Sequence, residues 1–265
     1  VFNPGKIVDA PPMNEFLRYE KDQKDPEIET ILDFNDTGGI LAMAEKCNGT
    51  GLCRKTHHSG GTMCPSYMAT KDEKHTTRAR ANILRDVLTN NMKENKFDSE
   101  EIKEVLDLCL ECKGCKSDCP SNVDMASMKS EFLQNYYDAN GSPFAAKMIA
   151  NVASSNALFS NVSGLFNFFS KAPVSSTLIK KMMNIAPERT IPPLYNTTLR
   201  KWFKKNKTRL QEGDKSKGTV NLFADEIVNY NDVPIGIYAI ELLSKIGYKV
   251  EIPQHTESGR PAISK

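Results

Sequence analysis

Cys109-Leu-Glu-Cys112-Lys-Gly-Cys115-Lys-Ser-Asp-Cys119-Pro120 is the stretch on which the reading of this chain turns. Its cysteines are separated by two, two and three residues, and a proline follows the last of them at once. Thiolates at steps of three wrap one face of an iron-sulfur cubane, whereas the cysteine before the proline is directed away and ligates a second cluster held by a matching run. One such run calls for another.

The other three cysteines supply an imperfect partner. Cys47 and Cys53 stand six residues apart, and Cys64 precedes Pro65. The missing middle thiol falls at Thr50, and the last spacer is lengthened. Crossed ligation then gives two unequal sites. Cluster A takes Cys109, Cys112, Cys115 and Cys64, four thiolates suited to a complete 4Fe-4S cluster. Cluster B takes Cys47, Cys53 and Cys119 and is one ligand short. It suits a 3Fe-4S cluster, or a 4Fe-4S cluster whose last iron has a non-cysteine ligand: water, the Thr50 hydroxyl or an imidazole. His57 and His58 lie in the insertion after Cys53, but a histidine pair in a glycine-rich loop reads first as a solvated turn, and Thr50 reads first as a spacer.

Two other uses of the cysteines compete with this one. Disulfides are disfavoured by the odd number, the lack of a visible secretory leader and the strain of pairing neighbours at this spacing. A zinc-stabilised interaction module is the stronger rival. Zinc sites, however, join two short Cys/His pairs across a longer spacer to close one tetrahedron, and here three ligands step evenly while the fourth diverges.

Composition sets the remaining bounds. The 265 residues include 35 Lys and Arg against 33 Asp and Glu, a formal net charge of +2, which makes no electrostatic case for nucleic acid. The length allows one large or two small domains with a real core. Free cysteines in ligand spacing, with no leader or membrane span in view, give a cytoplasmic expectation. Residues 148–170 carry no charge but are too rich in Asn and Ser to cross a bilayer. Leu158, Phe159, Leu165, Phe166, Phe168 and Phe169 give that stretch an aromatic face, expected in the core, with docking to a partner or membrane surface as the alternative.

The periodicity is mostly helical. A turn or small hairpin at Ile31 to Gly39 precedes a helix over 40–46. Ala81, Leu84, Val87 and Leu88 recur at helical spacing over 76–91, with Arg78, Arg80 and Arg85 interleaved. These arginines read either as solvated surface or as compensation for a negatively charged cluster. Ser99 caps a helix over 100–110 that runs into the intact cysteine run. A further helix spans 124–137, and short ones cover 177–183 and 199–205, where Trp202 packs against the core. After the charged linker 212–218 the pattern becomes a buried strand (219–223), a helix (233–246, with Ile235, Tyr238, Ala239 and Leu242 on one face) and a second strand (248–252), one βαβ unit. The expected fold is therefore mainly α: a helical ferredoxin-like domain carrying two cluster loops, then helices and a partial α/β unit.

The segments Cys47-Asn-Gly-Thr-Gly-Leu-Cys53, Thr62-Met-Cys64-Pro-Ser-Tyr67, Thr77-Arg-Ala-Arg80-Ala-Asn-Ile-Leu-Arg85 and Leu108 through Met125 together resemble the iron-sulfur half of large fused FAD-linked oxidases. That family joins a flavin domain of the D-lactate and glycolate oxidase type to a ferredoxin-like half similar to the glycolate oxidase iron-sulfur subunit and to heterodisulfide reductase. The resemblance implies a connector from a missing flavin domain (1–39), a helical ferredoxin-like domain (40–145), a helical extension (146–212) and the start of a cysteine-rich-type α/β domain (213–265). It further implies electron transfer through two iron-sulfur clusters, from an FAD-bearing domain upstream in the same polypeptide that oxidises a 2-hydroxy acid, to a downstream acceptor. Peripheral membrane contact is compatible with it. The fragment alone has no catalytic residue, and an enzyme using the open iron of cluster B as a Lewis acid is the remaining alternative. Where the family's cysteine-rich domain carries a CCG motif, this chain has Glu257-Ser258-Gly259, and no cysteine follows Cys119.

Overall fold

The computed structural model describes residues 5, 7–15, 24–213 and 215–264; the readings placed on Val1 to Pro4, Lys6 and Asp214 lie outside the described residues. The chain divides into two compact units, Val1–Ala139 and Asn140–Lys265. The fold is mainly helical, with two short parallel strands among the described residues.

The first unit contains α1 (Ile40–Glu45), α2 (Pro65–Thr70), α3 (Thr77–Asn90), α4 (Glu100–Asp107), α5 (Gly114–Asp118) and α6 (Met125–Asn140). The Thr76 hydroxyl accepts from the Ala79 amide and the Ser99 hydroxyl from the Ile102 amide, so α3 and α4 each start on a side-chain cap. Leu84 and Leu88 of α3, Ile102 and Leu106 of α4, and Met128 and Phe132 of α6 are fully buried in one core. Each such side chain contributes roughly 1.5–3 kcal/mol over its exposed state. The cysteine-bearing segments 46–64 and 108–124, irregular apart from a 3-10 turn at Leu52–Arg54 and the short helix α5, are seated on that core.

Local departures from the sequence reading have local causes. Residues 31–39 hold a single 3-10 turn, Asn35–Thr37, closed by Gly38 and Gly39 at φ 81° and 112°, and no hairpin forms. The Ile31 and Leu32 amides instead donate to the buried carboxylate of Glu131 on α6, both at 2.9 Å, which ties this segment to the helix core. Helix α4 ends at Asp107, and a turn closed by the Cys109 amide donating to the Leu106 carbonyl at 2.9 Å leads into the cysteine run.

The second unit holds α7 (Phe144–Ala150), α8 (Val152–Phe159), α9 (Ser163–Lys171), α10 (Pro173–Met182), α11 (Leu199–Gln211), β1 (Thr219–Asn221), α12 (Glu226–Tyr230), α13 (Val233–Lys245), β2 (Lys249–Glu251) and α14 (Arg260–Ile263). β1 and β2 are parallel, with Val220 opposite Val250, and α13 makes the crossover. Leu199, Phe203 and Leu210 of α11 share a core with Val233, Ile240 and Val250. The charged linker after α11 thus separates segments in sequence that pack together in space, and the two compact units part at 139/140.

One side of α13 packs inward and the other does not. Ile235, Tyr238 and Leu242 face outward, Tyr238 being 69 % exposed, while the Val233, Gly236 and Ile240 side of α13 is buried. Gly236 selects that side, because a Cβ there would overlap Leu199 and Val228. The aromatic face of 148–170 is not core either: Leu158, Leu165, Phe168 and Phe169 are exposed, Phe168 at 65 %. Leu165 and Phe169, together with Phe159, Phe166, Ile179 and Met183, line part of an open apolar cavity of about 580 Å³ within this unit.

Ser258, in the segment Glu257-Ser258-Gly259, closes a clasp. Its hydroxyl and amide donate to Glu226 at 2.6 and 3.2 Å. Burial works against the Glu226 carboxylate, but the Ser258 bonds outweigh it and hold its pKa below the usual glutamate range. A depressed carboxylate pKa stabilises the fold above the unfolded value and ceases to do so as pH falls through the folded one. Ser258→Ala is therefore expected to destabilise the chain by about 1 kcal/mol at neutral pH, and the difference in melting temperature from wild type should shrink in acid; a difference independent of pH would contradict the clasp.

Candidate metal centre

The first unit gathers all seven cysteines around two neighbouring cavities. Cys64, Cys109, Cys112 and Cys115 line one, with Arg80, Glu111, Lys113 and Met125. Cys47, Cys53 and Cys119 line the other, with Thr50, Arg78 and Val123. Met63 and Thr77, both buried, line both cavities and form their common wall. The cysteines thus fall into a set of four and a set of three, and Thr50 lines the three-thiol cavity. His57 and His58 are exposed and are not among the residues lining either cavity. Among the described residues no three His, Cys, Asp or Glu side chains converge as the ligands of a single ion would.

The crossing is built from backbone and side-chain locks. Asp118, at the end of α5 beside Cys119, accepts the amide hydrogens of Thr62 and Met63 at 2.7 and 3.1 Å. These bonds hold the Asp118 pKa below the usual carboxylate range. They bring the segment ending in Cys64 against the intact run. Gly114 permits the approach: a Cβ there would lie 2.7 Å from the Thr62 hydroxyl and 3.3 Å from the Met63 nitrogen. On the far side, buried Asp124 accepts from Lys113 and Lys116 at 3.3 and 3.1 Å and from the Ser127 amide at 3.2 Å. Burial disfavours its charge, yet these partners prevail and keep its pKa low.

Electrostatics divide the cysteines. Burial pushes the Cys115 thiol up to about 11, with Cys109 and Cys64 nearby adding to the rise. Burial also raises Cys109, partly offset by the Glu111 amide, Arg80 and Lys129, and it raises Cys53. Buried thiols of this kind are protonated at neutral pH unless a cation takes the proton's place, as metal coordination does. The donor set, sulfur lining a cavity walled by apolar side chains and fixed cations, therefore suits an iron-sulfur cluster. Lys129 serves the same wall, donating to the Cys109 carbonyl at 2.7 Å and standing 3.4 Å from Glu111.

The sequence pattern points to the cysteines and Thr50 but not to Asp118, Gly114 or Lys129. Asp118 and Gly114 lie inside the quoted run, yet nothing local shows that their partners are some fifty residues upstream.

Residues 46–124 match the 4Fe-4S dicluster domain family. The chain is 25 % identical to the D-2-hydroxyglutarate dehydrogenase of Escherichia coli K12 across 97 % of its own length and 29 % of that relative. It is 27 % identical to the D-2-hydroxyglutarate dehydrogenase of Haemophilus influenzae across 69 % of its length and 21 % of the relative. For that of Pseudomonas putida the figures are 23 %, 82 % and 25 %. The chain thus spans less than a third of the curated relatives it matches. No solved structure matches significantly, and no helix among the described residues is long and apolar enough to cross a membrane.

Gly114→Ala is expected to push the Thr62–Met63 segment away and cost about 1–3 kcal/mol. Denaturant unfolding together with iron retention after anaerobic reconstitution checks it; full stability and full iron content would contradict the close approach.

Proposed function

We propose, taking as premise that the chain is the iron-sulfur half of a FAD-linked oxidase, that it transfers electrons. They come from an FAD-bearing part of the same polypeptide that oxidises a 2-hydroxy acid, and go to an acceptor beyond this chain. The observation that carries the reading is the pair of adjoining thiol-lined cavities with a shared wall. Iron-sulfur clusters, when bound, supply one-electron carriers whose potentials follow net charge, hydrogen bonds to sulfur and burial.

Each residue of the site has a task in this scheme. Cys109, Cys112, Cys115 and Cys64 hold a 4Fe-4S cluster; Cys47, Cys53 and Cys119 hold a second cluster, 3Fe-4S or 4Fe-4S with a non-cysteine ligand. Thr50 is the position that leaves the second set one thiolate short. Met63 and Thr77 exclude water from the wall between the two, and Asp118 and Gly114 keep the runs in register. Substrate chemistry is assigned in this scheme to the FAD-bearing part. A 2-hydroxy acid as substrate is supported by the relatives, which are D-2-hydroxyglutarate dehydrogenases. The exposed Leu158, Leu165, Phe168 and Phe169 support a peripheral contact of the second unit with a partner or membrane surface.

Anaerobic reconstitution followed by iron and sulfide analysis and electron paramagnetic resonance tests the reading. About seven irons per chain, with spectra of one 3Fe-4S and one 4Fe-4S cluster, or about eight with a non-cysteine ligand, are the expected outcomes. Thr50→Cys should convert a 3Fe-4S spectrum to 4Fe-4S. A colourless protein with stoichiometric zinc would contradict the assignment.

A further inference from the structure

Arg80 is a fully buried guanidinium that faces the four-thiol cavity. Its Nε donates to the Val105 carbonyl at 2.8 Å, its Nη2 to the Ser66 hydroxyl at 3.0 Å and its Nη1 to the Cys64 sulfur at 3.4 Å. The carbonyl and the hydroxyl are neutral, and the Ser66 hydroxyl itself donates to the His75 carbonyl at 2.9 Å. Of the three acceptors, the sulfur is the one that becomes an anion when it binds metal. A buried arginine is stable only when its charge is matched, and here the match lies in the ligand thiolate.

The second cavity is furnished differently, although its arginine comes from the same helix. Arg78 is 29 % exposed in its side chain, and both its Nε and its Nη2 donate to Glu73, at 2.9 and 2.5 Å. Glu73 also pairs with Arg54 at 3.1 Å. A carboxylate thus stands against the cation at the three-thiol cavity. Of the two cations that line the four-thiol cavity among the described residues, Lys113 pairs with Asp124, whereas the acceptors of Arg80 include no carboxylate; Lys116 and Lys129 nearby pair with Asp124 and Glu111.

We propose that Arg80 is a positioning residue that raises the reduction potential of the cluster held by Cys64, Cys109, Cys112 and Cys115, through its charge-assisted bond to the Cys64 sulfur. The proposal rests on the functional reading above. One-electron reduction, by dithionite in the test, adds a negative charge to the centre. A fixed cation close by in a medium of low dielectric favours the more negative state, and a hydrogen bond to the ligand sulfur acts in the same direction. The carboxylate beside Arg78 withholds the same help from the second centre. The two sites then differ in charge environment as well as in number of thiolates.

The test is a redox titration monitored by electron paramagnetic resonance on the anaerobically reconstituted full chain, wild type against Arg80→Gln, Arg80→Lys and Glu73→Gln. Arg80→Gln keeps an amide donor and removes the charge. It should load as much iron as wild type and shift the 4Fe-4S midpoint to more negative potential, by more than it shifts the second centre. Arg80→Lys should retain most of the wild-type value. Glu73→Gln should raise the second centre and leave the first in place. An unchanged 4Fe-4S midpoint in Arg80→Gln, a shift in Arg80→Lys as large as in Arg80→Gln, or loss of iron in Arg80→Gln alone would overturn the proposal and make Arg80 a structural prop. Absence of any cluster spectrum from wild type would instead overturn the functional reading beneath it.

Discussion

The Asp118 carboxylate takes the amide hydrogens of Thr62 and Met63, and through those two bonds the loop that ends in Cys119 is fastened to the loop that ends in Cys64. Charge-assisted bonds to backbone amides are among the stronger ones a surface carboxylate makes. They hold two otherwise irregular segments face to face where no strand or helix does so. Cys64 consequently joins Cys109, Cys112 and Cys115 at one cavity, while Cys119 is carried to Cys47 and Cys53 at the other.

What surrounds the lock makes it rigid. Gly114 lets the loops touch, the α3–α4–α6 core supports them from below, and Arg80 joins three elements by bonding the Val105 carbonyl on α4, Ser66 on α2 and the Cys64 sulfur. Burial makes the thiols reluctant to ionise on their own, so a bound metal and the folded loops stabilise each other. The same burial that disfavours bare thiolates excludes water from the wall of Met63 and Thr77 between the sites.

The membership of the two cavities was legible in the sequence because ligand spacing is local: Cys109, Cys112 and Cys115 must share a face, and a cysteine before proline must leave it. The caps of α3 and α4 were legible for the same reason, each being a side chain and an amide three residues on. Contacts across long separations were not. Glu131 bonding Ile31 and Leu32, and Asp118 bonding Thr62, depend on partners that a linear pattern does not name. Apolar faces failed for a different reason. Helix α13 carries apolar residues on two sides, and the absence of a side chain at Gly236 decides which of them packs. In residues 148–170 the aromatic pattern identifies a face but not what covers it.

The central claim is that the two cysteine runs exchange their last ligands. Electron paramagnetic resonance of reconstituted Cys119→Ala tests it most directly. The crossed arrangement predicts that the 4Fe-4S signal of the four-thiolate site survives and the signal of the three-thiolate site is lost. Loss of the 4Fe-4S signal with the other retained would place Cys119 on the cluster of its own run and contradict the account.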